Sequence, residues 1–517
     1  MSVMAPSESG PVREAAGATG TPGISGDFHD LRLLIRSNVP LLVAETHDES
    51  RALELLTRVA VKEALPLFCW SATDGLQRLG FGELPARESL LEPDALLGAV
   101  KAHREAGLYV LCDMHPYLGD PRVVRLLKDI ALRYRECGHT LVLLSYRVDI
   151  PPELRRLAAR VELSLPDEEE IMTIVREEAK RWQEASGGKR VKTDSRTLGQ
   201  LTRSLRGLTH SDCRRLVRGA IFEDGSIEES DLPEMNRAKF DLMNLDGVLS
   251  FEYRTERFAN VAGMKRLRAW LEKRREAAVS SDRDGTLDRP KGVLLLGVQG
   301  AGKSLTARAV AGAWGVPLLR LDMGALYNKY IGETERNLRE SLRAAELMAP
   351  CVLWMDEIEK GIGAADSDEG TSRRVLGSLL TWMAEQRDGV FVVATANDVS
   401  ALPPELMRKG RFDEIFFVDL PDHDTRSEIF RIQLMRRSLA VEGIDITTLA
   451  AQSEGFSGAE IEQVVVSATY RAAAEQARLG TAHLSAEIRA TVPLAVTMAE
   501  RVQALRSWAA TRTVPAN

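Results

Sequence analysis

Eight consecutive residues, Gly297-Val298-Gln299-Gly300-Ala301-Gly302-Lys303-Ser304, fit the phosphate-binding pattern G-x-x-x-x-G-K-[ST]. Glycines at this spacing let backbone N–H groups crowd around phosphate oxygens without Cβ atoms in the way. Lys303 would reach the β and γ phosphates of a nucleotide, and the Ser304 hydroxyl would sit on Mg2+. Further along, Asp356 and Glu357 close the apolar run Cys351–Met355. An aspartate at a strand's end can hold Mg2+ through water, and a glutamate beside it can polarise an attacking water. Asn397 follows a second apolar run, Val390–Thr395. Its amide can touch that water or the γ-phosphate, or simply make a turn. Arg408 and Arg411 lie around Gly410. Arginines presented at a subunit boundary can stabilise transition-state charge in a neighbour's site.

These groups need rigid supports, and the flanking residues supply the pattern for them. Gly292–Leu296 is a short apolar run ending at the loop, which reads as a buried parallel strand. Leu305 opens a run of helix formers to Ala313, and a helix N-terminus suits an anion. Further strands are expected at Pro317–Asp322, Cys351–Glu357, Val390–Thr395 and Glu414–Leu420, with helices between them. Beyond Asp422 the pattern is helical to near Arg512.

The first half shows the same plan. Strands are expected at Val39–Glu45, Leu67–Trp70, Leu108–Asp113 and Thr140–Ser145, alternating with helices at Asp30–Ile35, Glu49–Ala64, Ala95–Ala106 and Pro121–Cys137. From Leu165-Pro166-Asp167 to about Met243 the pattern is helical. Tyr109–Asp113 parallels Val352–Asp356, Thr140–Ser145 parallels Val390–Thr395, and Gly207–Asp212 parallels Gly455–Glu460, which suggests a diverged internal repeat. The first half has no G-x-x-x-x-G-K-[ST], and His115 rather than a carboxylate lies just past Asp113. It is not expected to hydrolyse nucleotide. Residues 1–27, rich in Gly, Ala, Ser and Pro, read as a disordered leader.

The 517 residues suffice for several cores, with 44% hydrophobic and 28% charged residues as in a globular protein. A net charge of −7 and no DNA-binding motif argue against a nucleic-acid partner. The five cysteines are far apart, without a C-x-x-C pair, which fits reduced thiols in a cytoplasmic protein. No apolar run approaches a membrane span. The histidines show no ligand spacing, so no metal beyond Mg2+ is expected.

Residues from about Phe258 to Ala473 resemble the AAA ATPases of the AAA+ superfamily. Gly297–Ser304 and Cys351–Glu357 are similar to that family's Walker A and Walker B motifs, Asn397 to its sensor-1 residue, and Arg408 and Arg411 to its arginine fingers. Phe258–Met264, with Ala262 and Gly263, resembles the segment beside adenine. Gly455–Glu460, with Gly458 and Ala459, resembles the lid of the clade that lacks a sensor-2 arginine. Lys329–Glu333 resembles the first pore loop, whose aromatic residue, here Tyr330, grips a threaded polypeptide; Gly361–Arg374, with Asp366, Asp368 and Glu369, lies where the family has its second. A degenerate first half before one active module narrows the resemblance to the group first named for a hypothetical chloroplast reading frame, known from plastids, cyanobacteria and other bacteria.

The resemblance implies an α/β fold: a P-loop NTPase domain with parallel sheet (246–425) and a helical lid with C-terminal helices (426–517), preceded by a degenerate AAA-like half with its own helical subdomain (28–245). It implies ATP and Mg2+, a ring of identical chains, in the family a hexamer, and ATP hydrolysis coupled to remodelling a protein partner. A different output also fits the sequence, a scaffold whose partner binding is switched by nucleotide.

Overall fold

Apolar runs of five to seven residues, too short for buried helices, become strands covered on both faces. The computed structural model describes residues 22–79, 90–243, 248–253, 255–256, 258–279, 288–327, 333–362, 369–385, 389–408 and 410–517. Most of the expected leader, residues 329–332 of the expected first pore loop with Tyr330, and Asp366 and Asp368 lie outside the described residues. The chain divides into two units, Met1–Lys192 with Arg206–Ser226, and Thr193–Leu205 with Ile227–Asn517.

The first unit holds β1 (Leu41–Glu45), β2 (Leu67–Ser71), β3 (Gly75–Leu79), β4 (Gly107–Cys112), β5 (His139–Ser145) and β6 (Ala158–Glu162) in the order β3-β2-β4-β5-β1-β6. All pairings are parallel except β2 with β3. Successive residues face opposite cores: Leu41, Val43, Leu141 and Leu143 on one side, Leu42, Ala44, Val142 and Leu144 on the other. β3 and β6 were not expected. Both are edge strands, and only Val161 is buried in β6, so no apolar run announces it. The first helix spans Pro22–Arg36 and is longer than the expected Asp30–Ile35. It takes up the end of the supposed leader, where Asp27 is buried in an ion pair with Arg51. The helix expected over Pro121–Cys137 breaks at Arg133 into Pro121–Leu132 and Tyr134–Cys137.

The second unit holds β7 (Leu249–Phe251), β8 (Gly292–Gly297), β9 (Leu318–Leu321), β10 (Cys351–Met355), β11 (Val390–Ala396), β12 (Glu414–Val418) and β13 (Val514–Pro515). Their order is β13-β12-β8-β11-β10-β9-β7, parallel except for β7. The run β12-β8-β11-β10-β9 repeats the topology of β6-β1-β5-β4-β2. β13 has two residues and exists by pairing with Phe416 and Phe417, a tertiary effect that local pattern does not carry. After β12, the helices His423–Arg436, Ile446–Gln452, Gly458–Ala474 and Thr481–Ala490 pack around Phe430, Leu449, Phe456, Val464 and Leu484. The helices Ser195–Leu205 and Leu232–Leu242 also lie in this unit. Lys239, almost wholly buried on the latter, donates from Nζ to the carbonyls of Ser204 and Leu347.

Candidate nucleotide-binding site

β8 delivers the chain to the loop 298–302, and the helix Lys303–Trp314 leaves it. Gly302 has φ 97° at the helix N-cap, and Gly300 has φ 75°, with room for a Cβ only 3.0 Å from Ser457 Oγ. Side chains at either position would strain the backbone, and at Gly300 would push against the lid. The Ala459 N–H donates to Gly300 O at 3.2 Å, tying the lid helix Gly458–Ala474 to the loop. That helix is pinned by a capping box between Ser457 and Glu460.

Lys303 is buried, and its Nζ donates to the carbonyls of Gly297 and Val298, both at 2.8 Å. Burial pushes its ammonium down to about 8, against the opposing pull of Glu359, Asp356 and Glu357. The carboxylates come from the C-terminal edge of β10. Met355 pairs with Ala394 across β10 and β11, so Asp356 and Thr395 are adjacent. Thr395 Oγ1 donates to Asp356 Oδ1 at 2.7 Å and accepts the Glu357 N–H at 3.0 Å. Ser304 Oγ donates to the same Asp356 oxygen at 3.3 Å. Asn397 Nδ2 donates to Glu357 Oε1 at 2.9 Å, and Lys360 Nζ lies 2.5 Å from Glu357 Oε2.

These groups open on one cavity of about 660 Å3. Gln299, Gly300, Ala301, Gly302, Lys303, Ser304 and Leu305 line it from the loop and helix. Asp356, Glu357 and Asn397 line it from the strand ends, Ala262 from the segment Phe258–Met264, and Gly458 and Ala459 from the lid helix. Gly297, Val298 and Gly263 are not among the lining residues. Val298 is buried and donates its N–H to Val418 O, and the Gly263 N–H donates to Glu428 Oε2 at 3.1 Å. Arg408 and Arg411 do not line the cavity either. Arg408 is exposed, while Arg411 donates from Nη1 to Glu405 O.

Several participants were not singled out from the sequence. Thr395 is one, because its role depends on strand register. Glu359 is another: it is buried, its Oε1 accepts the Asn397 N–H at 2.8 Å, and its Oε2 has no hydrogen-bond partner. Burial raises its pKa. Behind Asp356, Arg320 lies 3.7 Å from Oδ2, and the guanidiniums of Arg320 and Arg308 stand 4.9 and 5.4 Å from the Trp354 ring centroid. Glu256 and Arg436 pair across the cavity's rim.

The donor set suits Mg2+, which keeps most of its waters and takes one or two protein oxygens beside phosphate. Ser304 Oγ and the Asp356 carboxylate would hold it, and it would supply charge neutralisation next to the phosphates.

Residues 293–420 match the ATPase family associated with various cellular activities (AAA), and residues 443–486 match the AAA+ lid domain. Residues 28–163 and 169–246 match the N-terminal and second domains of SpoVK-like AAA ATPases. The AAA domain-containing protein ycf46 of Pyropia yezoensis is 34% identical over 489 residues, covering 93% of this chain and 97% of that protein. This chain belongs to the AAA ATPases. Within the family, ycf46 of Trieres chinensis is also 34% identical, over 93% of this chain and 96% of its own. The proteasome-activating nucleotidase of Aeropyrum pernix is 40% identical over 202 residues, which is 38% of this chain and 49% of that protein. Among the described residues no helix is long and apolar enough to cross a membrane.

In this AAA site the hydroxyl of Thr395 serves two carboxylate-bearing residues at once. Thr395→Val keeps the side-chain shape but takes the acceptor from the Glu357 N–H and leaves Asp356 Oδ1 with only the longer bond from Ser304. The expected cost is about 1–3 kcal/mol of stability. It is read as a lower denaturant midpoint at unchanged slope; an unchanged midpoint would show that the hydroxyl is dispensable.

Proposed function

We propose that this AAA protein is a Mg2+-dependent ATP hydrolase that forms a ring, a hexamer on the family's pattern, and couples hydrolysis to remodelling or regulating a protein partner in the cytoplasm. The observation that carries the reading is the convergence of Lys303, Ser304, Asp356, Glu357 and Asn397 on one cavity roofed by Gly458 and Ala459. Lys303 would bind the β and γ phosphates, exchanging its two carbonyl partners for them. Glu357, oriented by Asn397, would accept the proton of the attacking water. Arg408 and Arg411 would act on the site of an adjoining copy. The likeness to a nucleotidase named for activating a proteasome supports a polypeptide partner, with Tyr330 as its grip.

The charge state of Lys303 provides a test. Its folded pKa near 8 lies below the ordinary lysine value because of burial, and bound phosphates would raise it again. Binding should therefore take up a proton around pH 8. By linkage, affinity is full below the free-site pKa and weakens as pH rises through it toward the bound-site value. Titration calorimetry in two buffers of different ionisation heat is expected to show this uptake. Lys303→Ala is expected to lose both the binding and the uptake. Tight ATP binding by Lys303→Ala would overturn the assignment.

A further inference from the structure

The first unit has its own version of this site, and strand register locates it. Across β1 and β5, Glu45 stands opposite Ser145; across β8 and β11, Leu295 stands opposite Thr395. Ser145 Oγ donates to Asp113 Oδ1 at 2.9 Å, as Thr395 donates to Asp356. From this shared reference the second unit runs through Val298–Gly302 before its helix begins at Lys303. The first unit has only Thr46, His47 and Asp48 before the helix Glu49–Glu63.

The facing element is also matched. The helix His210–Asp224 follows Gly207 (φ 82°) and is capped by Thr209, as the lid helix Gly458–Ala474 follows Gly455 (φ 80°) and is capped by Ser457. Ser211 thus corresponds to Ala459. In the second unit the Ala459 N–H meets the phosphate loop at Gly300 O. In the first, the Ser211 N–H donates to Asp48 Oδ2 at 3.1 Å and Ser211 Oγ donates to Asp48 Oδ1 at 2.7 Å. The Arg51 N–H, from the other helix, donates to Oδ1 at 3.3 Å. Asp48 is only 5% exposed. A buried carboxylate thus collects N–H groups from the first turns of two helices, the setting in which proteins hold phosphate.

We propose that Asp48 is a built-in phosphate surrogate: its carboxylate fills the anion position of the first unit, keeps nucleotide out, and holds the helix His210–Asp224 down whether or not ATP is present. His210 takes the place of Gly458 and adds bulk to the same spot. Burial holds its imidazole neutral, with the pKa down at about 4. The chain then binds one nucleotide, and its two halves answer ATP differently.

Hydrogen exchange on the full-length protein, with and without Mg2+–ADP, tests this. In the wild type, nucleotide is expected to protect amides at 458–462 and leave those at 210–214 unchanged. Asp48→Ala should speed exchange at 210–214 by about tenfold or more, since charge-assisted hydrogen bonds are lost there. Should that variant unfold the first unit, Ser211→Ala removes only the hydroxyl and should still speed exchange about threefold. ADP-dependent protection at 210–214 in the wild type, or unchanged exchange in both variants, would overturn the proposal. So would two ADP bound per wild-type chain. A wild type that binds no ADP at all would instead count against the second-unit site, and the exchange comparison between Asp48→Ala and wild type would decide the surrogate by itself.

Discussion

Glu357→Gln is expected to bind ATP as the wild type does and to turn it over about 10²–10⁴-fold more slowly, the usual contribution of a positioned general base. The substitution is nearly isosteric and Gln keeps an oxygen to accept from Asn397 Nδ2, so the site's shape should survive. What it removes is the basic carboxylate oxygen. The local backbone indicates how firmly that oxygen is aimed. Glu357 has φ 48°, a left-handed conformation that costs a non-glycine residue roughly 1–3 kcal/mol. The hydrogen bond from its N–H to Thr395 helps hold it there. Phosphate release and fluorescent-nucleotide binding measured on one preparation separate the two effects. A variant that hydrolyses at the wild-type rate would remove Glu357 from the chemistry. The same variant distinguishes remodelling from switching. A form trapped with ATP that retains a protein partner but cannot sustain the cellular role supports remodelling, and one that sustains it without turnover supports the scaffold.

How much of this was legible in the sequence follows from how local each feature is. The G-x-x-x-x-G-K-[ST] pattern was, because its glycines, Lys303 and Ser304 fall within eight consecutive residues. Asp356 and Glu357 were, because they end an apolar run. Thr395 and Glu359 were not: the first matters through the register of β10 on β11, the second through a hydrogen bond to the Asn397 backbone. The repeated strand order was visible in outline from paired motifs, but β3, β6, β7 and β13 were missed. Edge strands bury little, and β13 depends on β12 for its existence. The absence of a glycine loop in the first half was plain. That a carboxylate had taken its place was not, since Asp48 and Ser211 are far apart in the chain and joined only by folding.

The remaining large effect concerns the arginines. Removing Arg408 is expected to leave ATP binding intact and to lower turnover by about 10³-fold or more, the loss typical where an arginine finger is removed. Neither Arg408 nor Arg411 lines the cavity of its own chain, although both follow the strand end that carries Asn397. Arg408 is exposed at the end of the turn Pro404–Met407, and Gly410, at φ 99°, lies two residues on. Arg411 is fastened to Glu405 O, so its loss should also loosen the turn and is the less clean probe. If Arg408 serves an adjoining copy, two inactive variants should rescue each other. Lys303→Ala chains lack a working loop but keep Arg408, and Arg408→Ala chains keep the loop. In a one-to-one mixture that exchanges subunits, about one interface in four joins an intact loop to an intact arginine. Turnover should return to a corresponding fraction of the wild-type rate, and it should fall on dilution as the mixed oligomers come apart. Mixed oligomers demonstrated by sedimentation that recover no activity would rule out a finger acting between chains. The shared site would then have to be completed from within one copy.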